Sequence, residues 1–456
     1  MFLSRSNRAP GKRVKLSPTQ IIAITFAVII LVGTLLLLLP ISSRNGQSAG
    51  VMTSLFTATS ATCVTGLVLG DTWTQWSGFG QTVIILMIEV GGLGFMSVAS
   101  LLIFALRKKI GLKQRMVMAQ ALSVNEMESV VRLQKWVLLG SLIIQLAGAS
   151  VLFLRFLPRF GAKQAAIWGV FHAVSAFCNA GFDIMGKIAP GANMIVFNND
   201  PVVLITLMML IVIGGLGFFV WEEVVTVHSF KKFSVYTKLV LIATGVLIAG
   251  GAALIMLLEW SNPNTLGSMP LWQKVLNGFF QSVTVRTAGF TSVDQAALTE
   301  GGKAVSIFLM LIGGSSGSTA GGLKTVTVLV LLLFVLTRAR GRNRVTVFRR
   351  TVPHEKIMDA ATIVVLVVGL AAAGAVFITA TSPVSFTNAL FETASALATV
   401  GLTAGVTPLL TIPAQCMIII FMYFGRVGIL TISLGFLIGD KAEQRFHYAN
   451  TNLLIG

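Results

Sequence analysis

Four segments of the chain align without a gap: Phe56–Gly66, Phe171–Gly181, Phe279–Gly289 and Phe391–Gly401. Each is a phenylalanine, nine residues and a glycine, followed by leucine or phenylalanine (Leu67, Phe182, Phe290, Leu402). Their glycines lie 115, 108 and 112 residues apart. Serine recurs at one offset in three of them, as Ser60, Ser175 and Ser395. A second echo follows downstream of each: Gly91-Gly-Leu-Gly94, Gly214-Gly-Leu-Gly217, Gly314-Ser-Ser-Gly317 and Gly425-Arg-Val-Gly428. Near-constant spacing makes this an internal repeat, and a fourfold repeat demands one architecture built four times.

The medium of that architecture follows from hydropathy. Of the 456 residues 55% are hydrophobic and only 11% charged, with a mean hydropathy of +0.86, which points to a membrane. About 20 apolar residues cross a bilayer core. Leu16–Ser43, Trp136–Leu154, Pro201–Trp221, Leu239–Leu258 and Ala360–Phe391 carry no charge, and Thr72–Leu106, Ala304–Thr337 and Thr393–Gly439 carry one each, at Glu89, Lys324 and Arg426. These are eight candidate spans. The first is too long for a signal-peptide core of roughly 7–15 residues and reads as a retained helix. Between the spans lie half-length stretches, Val51–Gly66, Gln164–Gly181, Leu271–Gly289 and Pro383–Gly401. Each ends in a repeat glycine, and such segments read as re-entrant. The fold expected is an all-α integral membrane protein of four helix–pore–helix repeats, with fourfold pseudosymmetry around a central pore, eight spanning helices and four re-entrant half-helices. The repeats fall at 18–106, 132–226, 236–337 and 356–439. A segment 1–17 precedes them, linkers 107–131, 227–235 and 338–355 join them, and a tail 440–456 follows.

Lysine and arginine number 34 against 16 acidic residues. Sorted by segment, 24 of the 34 fall in the two ends and in or within four residues of the three linkers, so the positive-inside rule puts both termini in the cytoplasm of a multi-pass bacterial cell membrane protein. The basic linkers suit anionic lipid or an acidic-faced partner, and no fold that reads nucleic acid is present. Three scattered cysteines, Cys63, Cys178 and Cys416, exclude a disulfide framework or a metal-ligand set. No HExxH, paired acidic residues or Ser/His couple supports an enzyme, and no covalent cofactor is expected.

Non-helical backbone at membrane depth is tolerated where it lines an aqueous path. Four such strips can close a ring whose carbonyl oxygens replace the hydration shell of a monovalent cation. The strips are Val64-Thr65-Gly66, Asn179-Ala180-Gly181, Thr287-Ala288-Gly289 and Thr399-Val400-Gly401, and glycine at each end permits φ > 0 and an open lumen. A monovalent cation at these carbonyls is the cargo expected. An alternating-access symporter for another cation is the competing class, although such proteins usually carry two repeats.

The runs SATCVTGL, SAFCNAGFD, VRTAGFTSVD, ATVGLTAG, GGLGF (twice), GGSSGSTAGGLKT and GRVGILT resemble the Trk/Ktr/HKT superfamily of potassium transporters, in particular its bacterial KtrB-type membrane subunits. The resemblance covers nearly the whole chain. It implies one pore per chain, a homodimer, sodium dependence, and control by a cytosolic ring of nucleotide-binding, KtrA-like subunits. In that family a serine in place of the first filter glycine goes with sodium preference, so Gly66 implies potassium.

Two intramembrane features stand apart. The run Gly313, Gly314, Ser315, Ser316, Gly317, Ser318, Thr319, Ala320, Gly321 and Gly322, followed by Leu323 and Lys324, predicts a broken helix. Leu323 separates Gly322 from Lys324, unlike a phosphate loop. Close helix packing is one reading, and the resemblance implies a flexible loop that gates the path below the filter. Arg426 lies in the last apolar helix, where a charge costs about 2.5–3.5 kcal/mol. Glu89 and Glu392 are the candidate ion-pair partners, and the resemblance implies that the arginine plugs the pore. Arg286 is expected behind the third strip, donating to carbonyls or to a glutamate. Asp71, Asp183 and Asp294 follow filter glycines, where they either concentrate cations or serve as ordinary loop residues. His172, His228, His354 and His447 show no ligand pairing and read as structural.

Overall fold

The computed structural model describes residues 18–94 and 130–428. The expected segment 1–17, nearly all of linker 107–131 and the tail 440–456 lie outside the described residues.

The described chain is helical apart from a two-residue hairpin, β1 (Thr346–Val347) with β2 (Arg350–Thr351). Its helices are α1 (Pro18–Leu38), α2 (Val51–Thr62), α3 (Thr72–Gln75), α4 (Gly78–Leu93), α5 (Val130–Phe177), α6 (Pro201–Leu216), α7 (Phe218–Val227) and α8 (Val235–Glu259), then α9 (Leu271–Thr284), α10 (Glu300–Leu311), α11 (Thr325–Ala339), α12 (His354–Thr381), α13 (Phe386–Leu397) and α14 (Ile412–Val427). Left-handed Gly161 (φ 75°) kinks α5 three residues after Pro158, so a long arm is followed by a half-helix of the length of α2, α9 and α13. Local chemistry sets the starts. Ser77, Asp200, Ser234, Thr299 and Ser385 each accept a backbone N–H from the first turn of α4, α6, α8, α10 and α13, satisfying donors that a helix leaves unpaired.

Four of these helices have the length and composition of a membrane span among the described residues: Thr19–Leu38, Gln134–Phe177, Val235–Glu259 and His354–Thr381. Only about a third of each is buried. Outward-facing Leu35, Leu257 and Val365 are 65%, 76% and 71% exposed, a surface suited to lipid rather than water. The half-helices are the reverse. Ser54, Thr57, Thr59, Ser60 and Thr62 of α2 and Glu392, Thr393 and Ser395 of α13 are buried, so the polar repeat segments form the centre and the apolar long helices the perimeter.

Several expected spans are not continuous: Thr72–Leu106, Ala360–Phe391 and Thr393–Gly439 run across residues outside any α-helix, at 76–77, 382–385 and 398–411, and two more are broken at small residues. Pro201–Trp221 breaks at left-handed Gly217 (φ 97°), where α6 and α7 meet at 96°. Ala304–Thr337 is cut into α10 and α11 by non-helical residues 312–324, where the run of small residues removes helix propensity as its composition predicts. Left-handed Gly94 and Gly428 cap α4 and α14 in the same way that Gly217 caps α6. In three of its four copies the second glycine echo is therefore a helix stop, and in the third unit Gly314–Gly317 lies inside the break that follows Leu311.

Each long helix packs on the half-helix that follows it: α1 on α2, α8 on α9 and α12 on α13. Neighbouring groups touch through α4 and α5, α6 and α9, α10 and α13, and α14 and α2.

Candidate functional site

The repeat glycines Gly66, Gly181, Gly289 and Gly401 meet at the centre of the molecule. A Cβ placed on Gly66 would lie 3.2 Å from Gly181 Cα and 3.3 Å from Gly401 Cα. One on Gly181 would lie 2.9 Å from Gly289 Cα, and one on Gly289 3.3 Å from Gly401 Cα. The ring is closed. The carbonyls of Thr65, Ala180, Ala288 and Val400 approach the Cβ positions of Gly401, Gly66, Gly181 and Gly289 respectively. All four glycines are left-handed, with φ of 98°, 68°, 80° and 92°, so conformation and space both exclude a side chain.

Pattern reading included the first residue of each strip but not its backbone conformation. Val64, Asn179, Thr287 and Thr399 are also left-handed, at φ 56°, 59°, 70° and 51°, a state that costs roughly 1–2 kcal/mol for a residue with a Cβ. Four copies of one strained conformation mark a functional backbone. Their context repays part of that cost. Thr65, Ala180 and Val400 N–H groups each donate 2.8 Å back to Ser60, Ser175 and Ser395 carbonyls. The hydroxyls of Ser60 and Ser395 accept from the N–H groups of Gly66 and Gly401 at 3.0 Å. Ser175 donates to Phe182 O at 2.7 Å and Thr284 to Phe290 O at 2.6 Å. The serine of the repeat is thus the fastener of the strip. Asn179, with its amide nitrogen donating to Ala176 O and Ile211 O, accepts from Thr287 Oγ1 at 3.3 Å and joins the second strip to the third.

A cavity of about 330 Å³ opens above the glycines, edged by Asp71, Asp183 and Asp294. All three carboxylates accept backbone N–H groups: Asp71 from Thr74 and Gly191, Asp183 from Met185, and Asp294 from Ala296. They hold the loops and also bring negative charge to the cavity. Asp183, in the loop beyond the second strip and outside the spans, has its pKa pushed up to about 7 by burial, with the Asp71 charge adding to the rise and the Met185 N–H opposing it.

On the other side of the strips lies the break between α10 and α11, containing the whole run Gly313 to Gly322. Hydrogen bonds tie it to its neighbours at several points. Ser315 and Thr319 N–H groups donate to Gly215 O and Gly214 O at 3.0 and 3.2 Å, and Phe218 N–H donates to Gly317 O at 2.8 Å. Thr319 Oγ1 donates to Phe177 O at 3.0 Å, and Lys324 Nζ to Ala320 O at 2.8 Å. A Cβ on Gly321 would lie 3.0 Å from Ala398 O, so the loop presses against the base of the fourth strip.

Arg426 is fully engaged, but not by an acid. Its guanidinium donates to Thr319 O in the loop, to Gly91 O at 2.6 Å and to Gly92 O at 2.8 Å. The last two are carbonyls of the final turn of α4, which has no following turn to pair them. The expected ion pair with Glu89 or Glu392 is therefore replaced by backbone oxygens. Glu89 instead accepts from Gln145 Nε2 at 3.0 Å and Cys178 Sγ at 3.4 Å. Glu392 accepts from Thr403 Oγ1 at 2.8 Å and from Thr407 Oγ1. Arg286 does sit behind the third strip, 8% exposed, beside Ile211, Thr244 and Gly314. Its Nε meets no acceptor among the described residues, so the expected carbonyl or glutamate partner is not found. Among the described residues no group of three or more His, Cys, Asp or Glu side chains is placed to hold a metal ion.

Residues 6–448 match the family model TrkH, described as a cation transport protein. The Ktr system potassium uptake protein B of Bacillus subtilis is 40% identical over 95% of this chain and 96% of its own length. The potassium/sodium uptake protein NtpJ of Enterococcus hirae is 38% identical over 97% of this chain and 98% of its own length. Both are named as transport proteins, not enzymes. The crystal structure of the potassium transporter TrkH from Vibrio parahaemolyticus shares the fold, with a TM-score of 0.73 at 18% identity, covering 93% of this chain and 86% of that one. Built of long apolar helices around a polar centre, and matched over 95% or more of its length by these two relatives, the chain is a multi-pass membrane protein that belongs to the TrkH family of cation transport proteins.

Proposed function

We propose that the chain takes up potassium through a channel-like pore whose selectivity filter is the four-glycine ring. The observation that carries this is the meeting of four left-handed glycines whose neighbouring carbonyls crowd one axis. Backbone carbonyls held at fixed spacing substitute for the water shell of a monovalent cation. The pore is built from four helix–pore–helix units, 18–106, 132–226, 236–337 and 356–439, giving eight spans and four half-helices, with both termini cytoplasmic. The filter strips are 64–66, 179–181, 287–289 and 399–401. Asp71, Asp183 and Asp294 lie on the outer side. The loop 313–322, with Lys324 and Arg426, is the gate beneath the strips.

The relatives' names add potassium and sodium as cargo and a Ktr system of several parts. From the resemblance of its motifs to Ktr-type membrane subunits, the chain works as a homodimer, is sodium-dependent and is controlled by a cytosolic nucleotide-binding ring subunit. The test is growth at low potassium of an uptake-deficient bacterium expressing the chain with and without such a ring subunit, beside Gly66→Ser. Rescue that the variant weakens or shifts toward sodium supports the filter. Absence of rescue despite membrane insertion and a partner rejects potassium as the cargo.

A further inference from the structure

The four half-helices do not hold the backbone beyond the glycines in the same way. At the position after the repeat phenylalanine stand Thr57, His172, Phe280 and Glu392. His172 is wholly buried. Its Nδ1 pairs with Trp168 O at 2.7 Å, within its own helix, and its Nε2 accepts the Ile184 N–H at 3.3 Å, three residues beyond Gly181. The first contact fixes the tautomer with the proton on Nδ1, leaving Nε2 as the acceptor. Glu392, also wholly buried, takes the hydroxyls of Thr403 and Thr407, two and six residues beyond Gly401.

In the third unit the counterpart is shifted by one residue. Gln281 and Gln295 exchange two amide hydrogen bonds, at 2.6 and 3.0 Å, and Gln295 also donates to Val293 O at 2.8 Å. The same shift of one affects the hydroxyl fastener, Thr284 in place of the repeat serine. In every unit the two positions are three residues apart, His172 with Ser175, Gln281 with Thr284 and Glu392 with Ser395, and so share one face of the half-helix. Three units thus present a pair: a hydroxyl that holds the strip and a longer polar side chain that holds the segment past it, His172 at the Ile184 N–H, and Glu392 and Gln281 through the side chains of Thr403, Thr407 and Gln295. The first unit has only the hydroxyl. Thr57 is too short, and no side-chain hydrogen bond from α2 reaches past Gly66 among the described residues.

We propose that His172, Gln281 and Glu392 are clamps that position three of the four filter strands for ion preference, and that the first strand is left unclamped. The proposal rests on the four-glycine filter reading. Buried polar contacts made in a dry interior define a single backbone geometry, and a carbonyl ring discriminates between cations only while that geometry holds. The clamps touch no ion. They act through the backbone that follows each strip.

The experiment measures potassium against sodium preference, uptake KM and membrane abundance for the full chain in an uptake-deficient bacterium. Glu392→Leu is expected to lower preference about tenfold, the scale of one or two lost hydrogen bonds, while Glu392→Gln, which keeps an acceptor for one threonine, restores most of it. The pair Thr403→Val and Thr407→Val should reproduce the loss without adding to Glu392→Leu, and it carries the test where the leucine variant does not reach the membrane. His172→Phe and His172→Gln form the same contrast in the second unit. Thr57→Val is expected to leave preference unchanged. A Glu392→Leu protein that loses abundance alone, with preference and KM intact, overturns the proposal, as does a Thr57→Val protein altered to the same degree. Gly401→Ser is run in parallel. If it shifts preference and Glu392→Leu does not, the clamp alone fails. If neither shifts it, the filter reading fails as well.

Discussion

Arg426 donates to the carbonyl oxygen of Thr319, so the last helix holds the loop that interrupts α10 and α11. The same guanidinium takes Gly91 O and Gly92 O, the free last-turn carbonyls of α4. One side chain therefore joins the first, third and fourth units beneath the glycine ring, in the partially negative field of a helix C-terminus. Arg426→Ala removes three charge-assisted bonds and leaves their carbonyl acceptors buried, at a cost of about 1–3 kcal/mol for each acceptor left unpaired. The expected outcome is a lower melting temperature in detergent together with rubidium uptake raised about tenfold, the loop being released. Arg426→Lys keeps the charge but not the planar fork and should fall between. Unchanged uptake and ion preference in Arg426→Ala would remove the arginine from the gate.

The loop itself offers a separate test. Its backbone is satisfied by Gly214, Gly215 and Phe218 on one side and by Arg426 on the other, an arrangement that holds it across the base of the strips. Deletion of Ser315–Ala320 is expected to raise rubidium flux at least about tenfold, the scale seen when a barrier falls by 1.4 kcal/mol. Flux equal to that of the parent, in protein shown to be inserted and of normal abundance, is the result that rejects gating by this segment.

The glycine ring predicts which substitutions it refuses. Alanine at Gly289 must adopt φ near 80° and place its Cβ 3.1 Å from Gly181 Cα. Conformation alone costs roughly 1–2 kcal/mol, and the contact falls on backbone that cannot turn aside. Gly289→Ala and Gly66→Ser are expected to cut potassium preference by about tenfold or more, measured as competition of sodium against rubidium uptake. By contrast Gly46→Ala, also left-handed but with nothing within 4 Å, should alter stability slightly and ion preference not at all.

Much of this was legible in the chain because spacing survives when chemistry varies. The four phenylalanine-to-glycine segments and the small-residue break at Gly313–Gly322 are written in composition and period. Partners across the fold were not legible. An isolated arginine and two isolated glutamates in apolar sequence suggest ion pairs, yet Arg426 is met by carbonyls that are free only because left-handed Gly94 stops α4 after Leu93. The left-handed backbone at Val64 and Thr399 was hidden for a related reason, since a β-branched residue is a poor local signal for φ > 0. His172 read as an unpaired structural histidine. Its partners are the Trp168 carbonyl one turn back and the Ile184 N–H twelve residues on, neither of which is a side chain that a motif can show.

The outer cavity yields a pH dependence. Asp183 has its pKa raised to about 7, chiefly by burial and then by the charge of Asp71. Below that value it is neutral, and above it the cavity over the glycine ring gains a negative charge. Asp71, which accepts the Gly191 N–H, and Asp294 face the same space, with Lys187 the nearby cation on the second unit's loop. As external pH rises from 6 to 8, the apparent KM for rubidium should fall by about two- to fivefold at low ionic strength, and less in 0.5 M salt, where charges more than about 4 Å apart are screened. In Asp183→Asn the KM should stay at its acid-side value across the range. A pH profile in the variant that matches the parent would assign the titration to another group and leave Asp183 as the residue that holds the Met185 turn.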